Sequence, residues 1–497
     1  MESIPFLSLI LFFPVLGAVF IAFLPKDNAR AIKICAAVFT FVSVALAILL
    51  FIIFDRSAAG AQFVERMSWI PQIDVEYYLG VDGLNLPLVL LTALLGFLAV
   101  FISWHVKVRP KEYFICLLLL ETSILGVFAS LDLFLFFLFW EVELFPMYLL
   151  ISIWGTPPPL GRKEYSATKY VLYTIFGSAL MLAGILTLYF SSGTFDMLAM
   201  GQGAIVARLI PLPAIFFLLF TAYAIKLPMF PQHTRLPDAQ TDAPTAVSVM
   251  LAGVLIKMGG YGIIRICVSI FPEVARQYAP LLIALGVISV IYGAAVTLRQ
   301  TDLKRLIAYS SVSHMGYVLL GVFALSTASL TGASLQMFSH GIVTGLLFAM
   351  VGLVYEKTHV RHLERLGGLA RQMPIVAVVF SIAGLAALGL PGTIGFAAEF
   401  LTFIGAFTSD AVVGIRLWTI LGVTGIVVTA GYTLWMLQRT FYTEPREQFN
   451  GVGDATWLER FPIFVLVGVI MLTGIYPALL TEVFQMGIGP IVRHLGF

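Results

Sequence analysis

Charge is scarce in this chain. Only 11% of its 497 residues are Asp, Glu, Lys or Arg, less than half of the ~25% usual in soluble domains. That shortage excludes a water-facing surface of ordinary size. Cysteine is equally sparse. Cys35, Cys116 and Cys267 sit in apolar runs without paired or metal-like spacing, which excludes a disulfide framework and reads as small buried hydrophobes. No phosphate loop, dinucleotide fingerprint, metal-ligand cluster or iron–sulfur cysteine spacing occurs, so no cofactor and no redox chemistry is expected on this chain. Lys and Arg are scattered rather than clustered, which argues against a nucleic-acid partner. Long polar stretches are missing too: 60% of the residues are hydrophobic, with 41 Phe among them. The apolar runs are continuous over about twenty residues, not alternating as in an outer-membrane barrel. Lipid is the solvent for most of this surface.

Hydropathy predicts an all-α polytopic membrane protein of about fourteen transmembrane helices. The first lies at 4–24 and, with Glu2 where a signal peptide carries positive charge, reads as a retained span. Others fall at 212–231, 244–270, 278–298 and 374–408, and the last at 461–484. The longest link, 55–82, is mildly amphipathic, with Trp69, Tyr77 and Tyr78 suited to the headgroup level. The Gly259-Gly260-Tyr261-Gly262 run is expected to end a helix and allow close packing.

Charge asymmetry orients the bundle. One set of alternate loops carries 20 of the 29 basic residues, from Lys26, Arg30 and Lys33 to Arg439, Arg446 and Arg460. The other side has seven, Arg56, Arg66, Arg208, Arg265, Arg276, Arg416 and Arg493. The rich set is cytoplasmic by the positive-inside rule, so both termini are expected to be periplasmic.

The two remaining lysines, Lys226 and Lys257, lie inside apolar helices, as do Glu121, Glu141, Glu143 and Glu399. A charge at the bilayer centre costs at least ~2.5–3.5 kcal/mol and marks an ion or proton pathway by default. Static ion pairs that glue helices together are the competing reading. Glu141 and Lys226 are 85 residues apart, as are His314 and Glu399, and the two pairs are offset by 173 residues. That offset is five spans, an odd number, so the second unit is inverted. Each unit also has a broken helix, near 226–231 and near 390–392, the pattern of a transport pathway at the midplane. The domains expected are therefore 1–110 with three spans, 111–272 and 273–441 as inverted five-helix repeats, and 442–497 with a last span.

Glu141 and Glu143 lie about 200° apart on one helix, so they cannot share a partner. Glu141, after Trp140 and with Tyr148 two turns on, is assigned to the interior, and Glu143 is secondary. Burial favours a neutral lysine and a nearby carboxylate a charged one, so a changing Glu141–Lys226 distance would switch a proton. His314 has Ser310, Ser311 and Tyr317 at helical spacing, and His340 has Gln336 and Thr344, stripes suited to water chains. A hydrogen-bonded helix contact is the competing reading for each histidine. Glu121 has no partner legible in the sequence.

Several motifs together resemble the antiporter-like subunits of respiratory complex I. They are Trp140-Glu141-Val-Glu143-Leu-Phe-Pro146-Met-Tyr148, the Lys226-Leu-Pro228 break, His233-Thr-Arg-Leu-Pro237-Asp238-Ala-Gln-Thr-Asp242-Ala-Pro244-Thr245-Ala, Leu255-Ile-Lys257-Met-Gly-Gly-Tyr-Gly, Ser310-Ser-Val-Ser-His314-Met-Gly-Tyr317 and Val81-Asp82-Gly83-Leu. The similarity runs nearly the full length. Glu399 in Gly389-Leu-Pro391-Gly392, where other branches carry lysine, and the lack of a long lateral helix resemble the M-like branch.

The resemblance implies a proton-translocating membrane-arm subunit of NADH:quinone oxidoreductase in the bacterial cytoplasmic membrane, among membrane lipids. NADH, FMN, iron–sulfur clusters and quinone would belong to partner subunits, with L-like and N-like subunits on either flank. Glu141 and Lys226 would be the coupling ion pair and Lys257 the central relay. His314 and His340 would connect onward to Glu399, the terminal exchange site. Glu143 matches only some relatives. The alternatives are a subunit of a multi-subunit sodium/proton antiporter and a non-pumping structural bridge.

Overall fold

The computed structural model describes residues 4–58, 60–202 and 209–496. Glu2 and Arg208, used above for the first span and the charge balance, lie outside the described residues. The chain runs α1 (Phe6–Phe23), α2 (Ala29–Ile53), β1 (Gln62–Ile70), β2 (Val75–Val81), α3 (Leu86–Ile102), α4 (Pro110–Ala129), α5 (Leu133–Trp154) and α6 (Lys163–Ser192). It continues through α7 (Leu212–Lys226), α8 (Arg235–Asp242), α9 (Thr245–Val268), α10 (Pro272–Thr297), α11 (Leu303–Phe323) and α12 (Thr327–Thr358). The last elements are α13 (Pro374–Ala387), α14 (Ile394–Phe407), α15 (Ile415–Phe441), α16 (Trp457–Ile475) and α17 (Ala478–His494). Among the described residues, 11 helices are long and apolar enough to cross a membrane, and α3, α7, α13 and α14 are shorter apolar helices.

Local sequence sets the helix ends. Asn28 accepts from the Ala31 N–H at 3.1 Å to start α2, and Asp132 accepts from the Phe134 and Leu135 N–H groups to start α5. Each satisfies donors that a helix N-terminus leaves free. Pro110, Pro272 and Pro374 open α4, α10 and α13, where a missing N–H costs nothing. Helices α9, α11 and α12 are apolar on nearly every face and almost wholly buried, and they form the centre of the bundle. α1, α2, α15 and α16 keep apolar side chains outward, such as Phe23, Ile52, Val427 and Leu472.

Several expectations are corrected. The fold is mostly helical, as expected, but the 55–82 link, read as amphipathic, contains an antiparallel hairpin of β1 and β2. In it Tyr78 is buried and the Tyr77 hydroxyl reaches Ser8, so only Trp69 keeps the exposure expected at a headgroup level. β-branched and aromatic residues, with a 3-10 turn at Pro71–Ile73 and Asp74 at φ +54°, win over amphipathic periodicity there. The 461–484 segment divides at Tyr476–Pro477, because proline leaves a helical hydrogen bond unmade, whereas the interruption expected near 390–392 is present, at Leu388–Thr393. The glycine run at 259–262 stands inside α9 rather than at its end. Its role in close packing does hold: a methyl at Gly259 would meet the Tyr223 carbonyl at 2.5 Å and the Leu227 nitrogen at 2.7 Å. Cys116 and Cys267 are buried, whereas Cys35 is only half-buried.

Candidate functional site: a buried acid–base chain

The first element of the site is the break after α7. Pro228 and Pro231 cannot donate N–H groups, which frees carbonyls one turn earlier. The Met229 N–H donates to the Ala224 carbonyl at 3.1 Å, and Arg235 folds back so that its Nε donates to the Ile225 carbonyl at 3.2 Å. Arg235 also donates to Thr174 Oγ1 at 3.2 Å and stacks over Tyr170. These contacts hold the broken end in a polar, fully packed setting and present Lys226 to the interior.

Lys226 pairs with Glu143. Both are buried, and the Nζ also lies 4.9 Å from the centre of the Trp140 ring. The Tyr170 hydroxyl donates to the two Glu143 oxygens at 3.1 and 2.9 Å. This corrects the placement expected for Glu141 and Glu143. Trp140, Glu143, Met147 and Leu150 recur at helical spacing on one face, and that face is the buried one. Glu141 shares its face with Phe145 and Tyr148, which are 64% and 40% exposed. Glu141 is half-buried, and its Oε1 has no hydrogen-bond partner among the described residues. The stripe was legible in the sequence; Trp140's neighbour in the chain is Glu141, but its neighbour on the helix is Glu143.

The second element is α9. Two π-helical segments, Leu251–Leu255 and Ile263–Val268, flank Lys257; such segments leave backbone groups off the regular ladder. Lys257 donates to the Ala252 carbonyl within the first of them, and its Nζ lies 2.8 Å from His340 Nδ1. The contact of Gly259 with Tyr223 and Leu227 sets the α9 backbone directly against the end of α7, beside Lys226.

The third element joins α11, α12 and α14. The rings of His340 and His314 are 5.6 Å apart, His314 Nδ1 lies 3.4 Å from Glu399 Oε1, and Gln336 Nε2 is 3.5 Å from His314 Nδ1. Tyr317 stacks edge-on against His314 at 5.7 Å. A cavity of about 20 Å³ is lined by Ser310, His314, Gln336, His340, Thr344 and Glu399 among others, enough for one water molecule. Glu399 reaches the second helix break. At Gly389 (φ +71°) a methyl would meet Glu399 Oε2 at 2.7 Å, so the positive φ and the carboxylate both require glycine there.

Of the sequence candidates, Lys226 with Glu143, Lys257 with His340, and His314 with Glu399 and Tyr317 come together. Glu141 and Tyr148 stand apart. So does Glu121 of α4, which is buried against Gly96 of α3 with no hydrogen-bond partner for its Oε1 among the described residues. Three features received no role from the sequence, although His233, Asp238, Asp242 and Asp82 stand in its motifs. His233 is buried in the α7–α8 break, and neither ring nitrogen has a hydrogen-bond partner among the described residues. A cavity of about 490 Å³ opens at the basic-rich end, lined by Arg162, Asp238, Asp242, Asp302, Arg305 and Arg361 among others. Asp82 and Arg265 form a buried bidentate pair at the opposite end. For the last, a signal existed: Arg265 follows Lys257 by two helical turns in the same apolar run.

A buried chain of paired acids and bases inside a many-helix bundle defines a membrane protein that handles protons or small ions. Residues 130–429 match the family described as NADH:quinone oxidoreductase/Mrp antiporter, transmembrane, and the chain belongs to it. It is 43% identical over 98% of its length, and 91% of the relative's, to the NAD(P)H-quinone oxidoreductase chain 4 1 of Synechococcus elongatus. It is 39% identical to the NADH-quinone oxidoreductase subunit M of Rhodobacter capsulatus, with 98% of this chain and 96% of that one covered. The solved structure of respiratory complex I from Thermus thermophilus contains a chain matched with a TM-score of 0.87, 28% identity, and coverage of 99% and 100%. Within the family, the chain falls with the subunit M and chain 4 members.

Proposed function

We propose that this chain is the M-type proton-translocating subunit of a bacterial quinone oxidoreductase of the complex I kind. It moves protons through buried Glu, Lys, His and water while quinone is reduced on other subunits. The observation that carries this reading is the run of three acid–base contacts: Lys226 with Glu143, Lys257 with His340, and His314 with Glu399. The last two are bridged by the His314–His340 approach and a water-sized cavity. Glu399, rather than lysine, supports the M-type assignment over an antiporter subunit.

In this reading the chain crosses the membrane fourteen times, with α7 and α8 together, and α13 and α14 together, each making one interrupted crossing. Residues 111–272 and 273–441 are inverted repeats, between an N-terminal unit at 1–110 and the last crossing in 442–497. Support comes from the two helix breaks, each of which receives a buried charged group, Lys226 in one and Glu399 in the other. The polar cavity of about 490 Å³ at the basic-rich end is the cytoplasmic inlet, and both termini face the periplasm. Glu141 and Tyr148 face an L-like or N-like neighbour, whose approach draws Glu141 into the Lys226–Glu143 pair. The chain holds no redox cofactor; NADH, FMN, iron–sulfur clusters and quinone reside on partner subunits.

The test is Lys226→Ala in native membranes, with assembly verified on a native gel. Donor-driven quinone reduction and proton uptake into inverted vesicles are followed together. Loss of both in the assembled complex is expected, and wild-type turnover with wild-type pumping would make the chain a scaffold.

A further inference from the structure

The Val81-Asp82-Gly83-Leu motif finds no role in the proton chain described above, yet it supplies one half of a buried ion pair. Arg265 Nη2 lies 2.7 and 2.6 Å from the two Asp82 oxygens, and its Nε donates to the Tyr261 hydroxyl at 3.2 Å. Lys257, Tyr261 and Arg265 follow one another at four-residue intervals, so they line one face of α9. All three are buried. On the far side of the pair is a cavity of about 160 Å³, lined by Asp82, Arg265, Ser269, Met486, Gly487 and His494 among others. It belongs to the end of the bundle that holds the hairpin and α17, the end poor in basic residues.

Between that cavity and Lys257, this face of α9 offers only Arg265 and Tyr261. A guanidinium keeps its protons at any attainable pH, so it cannot relay one. The Tyr261 oxygen accepts from Arg265 Nε, so the hydroxyl proton is directed away from the guanidinium. A chain of hydrogen bonds entering from the cavity is therefore interrupted at the guanidinium. Asp82, with two charge-assisted bonds, fixes the guanidinium in place and offsets the cost of burying it.

We propose that Arg265, clamped by Asp82, is an outer plug. It keeps protons of the periplasmic side from Lys257, so that a proton held there moves on toward His340 and Glu399. The assignment rests on the proton-pathway reading and on the cytoplasmic placement of the basic-rich end.

The plug is tested without turnover, separately from the pathway reading. Inverted vesicles carrying the assembled complex receive an acid-interior gradient by ammonium dilution, and its decay is followed with a pH-sensitive dye. Arg265→Gln is expected to speed the decay several-fold, and adding Lys257→Met to return it to the wild-type rate. Asp82→Asn, which keeps the guanidinium but weakens its clamp, is expected to leak less than Arg265→Gln. Wild-type decay in Arg265→Gln would overturn the plug. So would a leak that persists with Lys257→Met, or an equal leak in Asp82→Asn. If Arg265→Gln does not assemble, cysteine labelling decides with the plug intact. A membrane-impermeant maleimide applied from the periplasmic side should label Ser269→Cys and spare Tyr261→Cys, and equal labelling would overturn the proposal. Wild-type pumping in Lys226→Ala would instead defeat the pathway reading and leave the leak result standing.

Discussion

His340 Nδ1 lies 2.8 Å from Lys257 Nζ, while the same lysine donates to the Ala252 carbonyl in a π-helical turn of α9. The two side chains share one contact proton, held by either the amine or the ring. A relay role requires that the ring take it up; a packing role requires only an acceptor at that position. His340→Gln supplies the acceptor and cannot carry the proton. Proton uptake by the assembled complex is expected to fall about tenfold or more, toward the range of positioned acid–base groups. Uptake at the wild-type rate would reduce His340 to a helix contact.

Removing Glu143 leaves the Lys226 ammonium buried without its counter-charge, and breaking such a pair costs about 3–5 kcal/mol. Glu143→Ala should therefore lower the thermal midpoint of the solubilised complex well below that of Glu141→Ala, whose residue is half-buried and outside the pair. Replacing both partners, as Glu143→Leu with Lys226→Met, should recover most of that stability without recovering proton uptake. Equal midpoints for the two alanine variants would contradict the pairing.

A methyl group at Gly96 would meet the Glu121 carboxyl carbon at 2.3 Å. Gly96→Ala must push that carboxyl out of its notch, at an overpacking cost of about 1–3 kcal/mol. Glu121→Ala removes the obstacle, so the double variant should be more stable than Gly96→Ala alone. Additive losses in a double-mutant cycle would show that the two residues do not touch. Glu121→Gln, which keeps the side chain's size and replaces a carboxyl with no ion-pair partner among the described residues, is expected to assemble at least as well as wild type, judged by native-gel yield.

Asp132 starts α5 and also accepts the Glu76 N–H at 3.1 Å. Burial pushes its carboxyl up to about 6, against the lowering effect of the backbone N–H groups of Leu135, Glu76 and Phe134. Between the ordinary value of ~4 and 6, the folded chain retains a proton that the unfolded chain gives up. The contribution of Asp132 to stability therefore falls as pH rises through that window. Asp132→Asn keeps a helix-capping oxygen and buries no charge. Its midpoint should exceed that of wild type by more at pH 7.5 than at pH 5, and an equal difference at both would refute the sign.

Much of the fold was legible in the residues because lipid imposes so narrow a solution. A backbone that crosses hydrocarbon must satisfy its own hydrogen bonds, which continuous apolar runs can do only as helices. The break at Lys226-Leu-Pro228 was legible for the same reason, since proline removes a specific bond. The hairpin at Gln62–Val81 was not, because it lies outside the hydrocarbon constraint, where strand and amphipathic patterns compete over a few residues. The separate α17 escaped notice because its apolar face continues the hydropathy of α16 past Pro477.

By itself the sequence determined that ionisable groups of both signs lie inside apolar helices, and that Lys226, Lys257, His314, His340 and Glu399 are among them, because so few charges occur in so much apolar chain. Only the tertiary structure decided which groups meet. Helical periodicity placed Glu143 and Glu141 on opposite faces, but the packing of α5 against α6 and α7 chose the face that Lys226 sees. The approach of α3 to α9 likewise decided that Arg265, counted at first as one basic residue of the outer side, is buried against Asp82. Partners distant in the chain are selected by packing, and one sequence read alone carries no record of which surfaces close on each other.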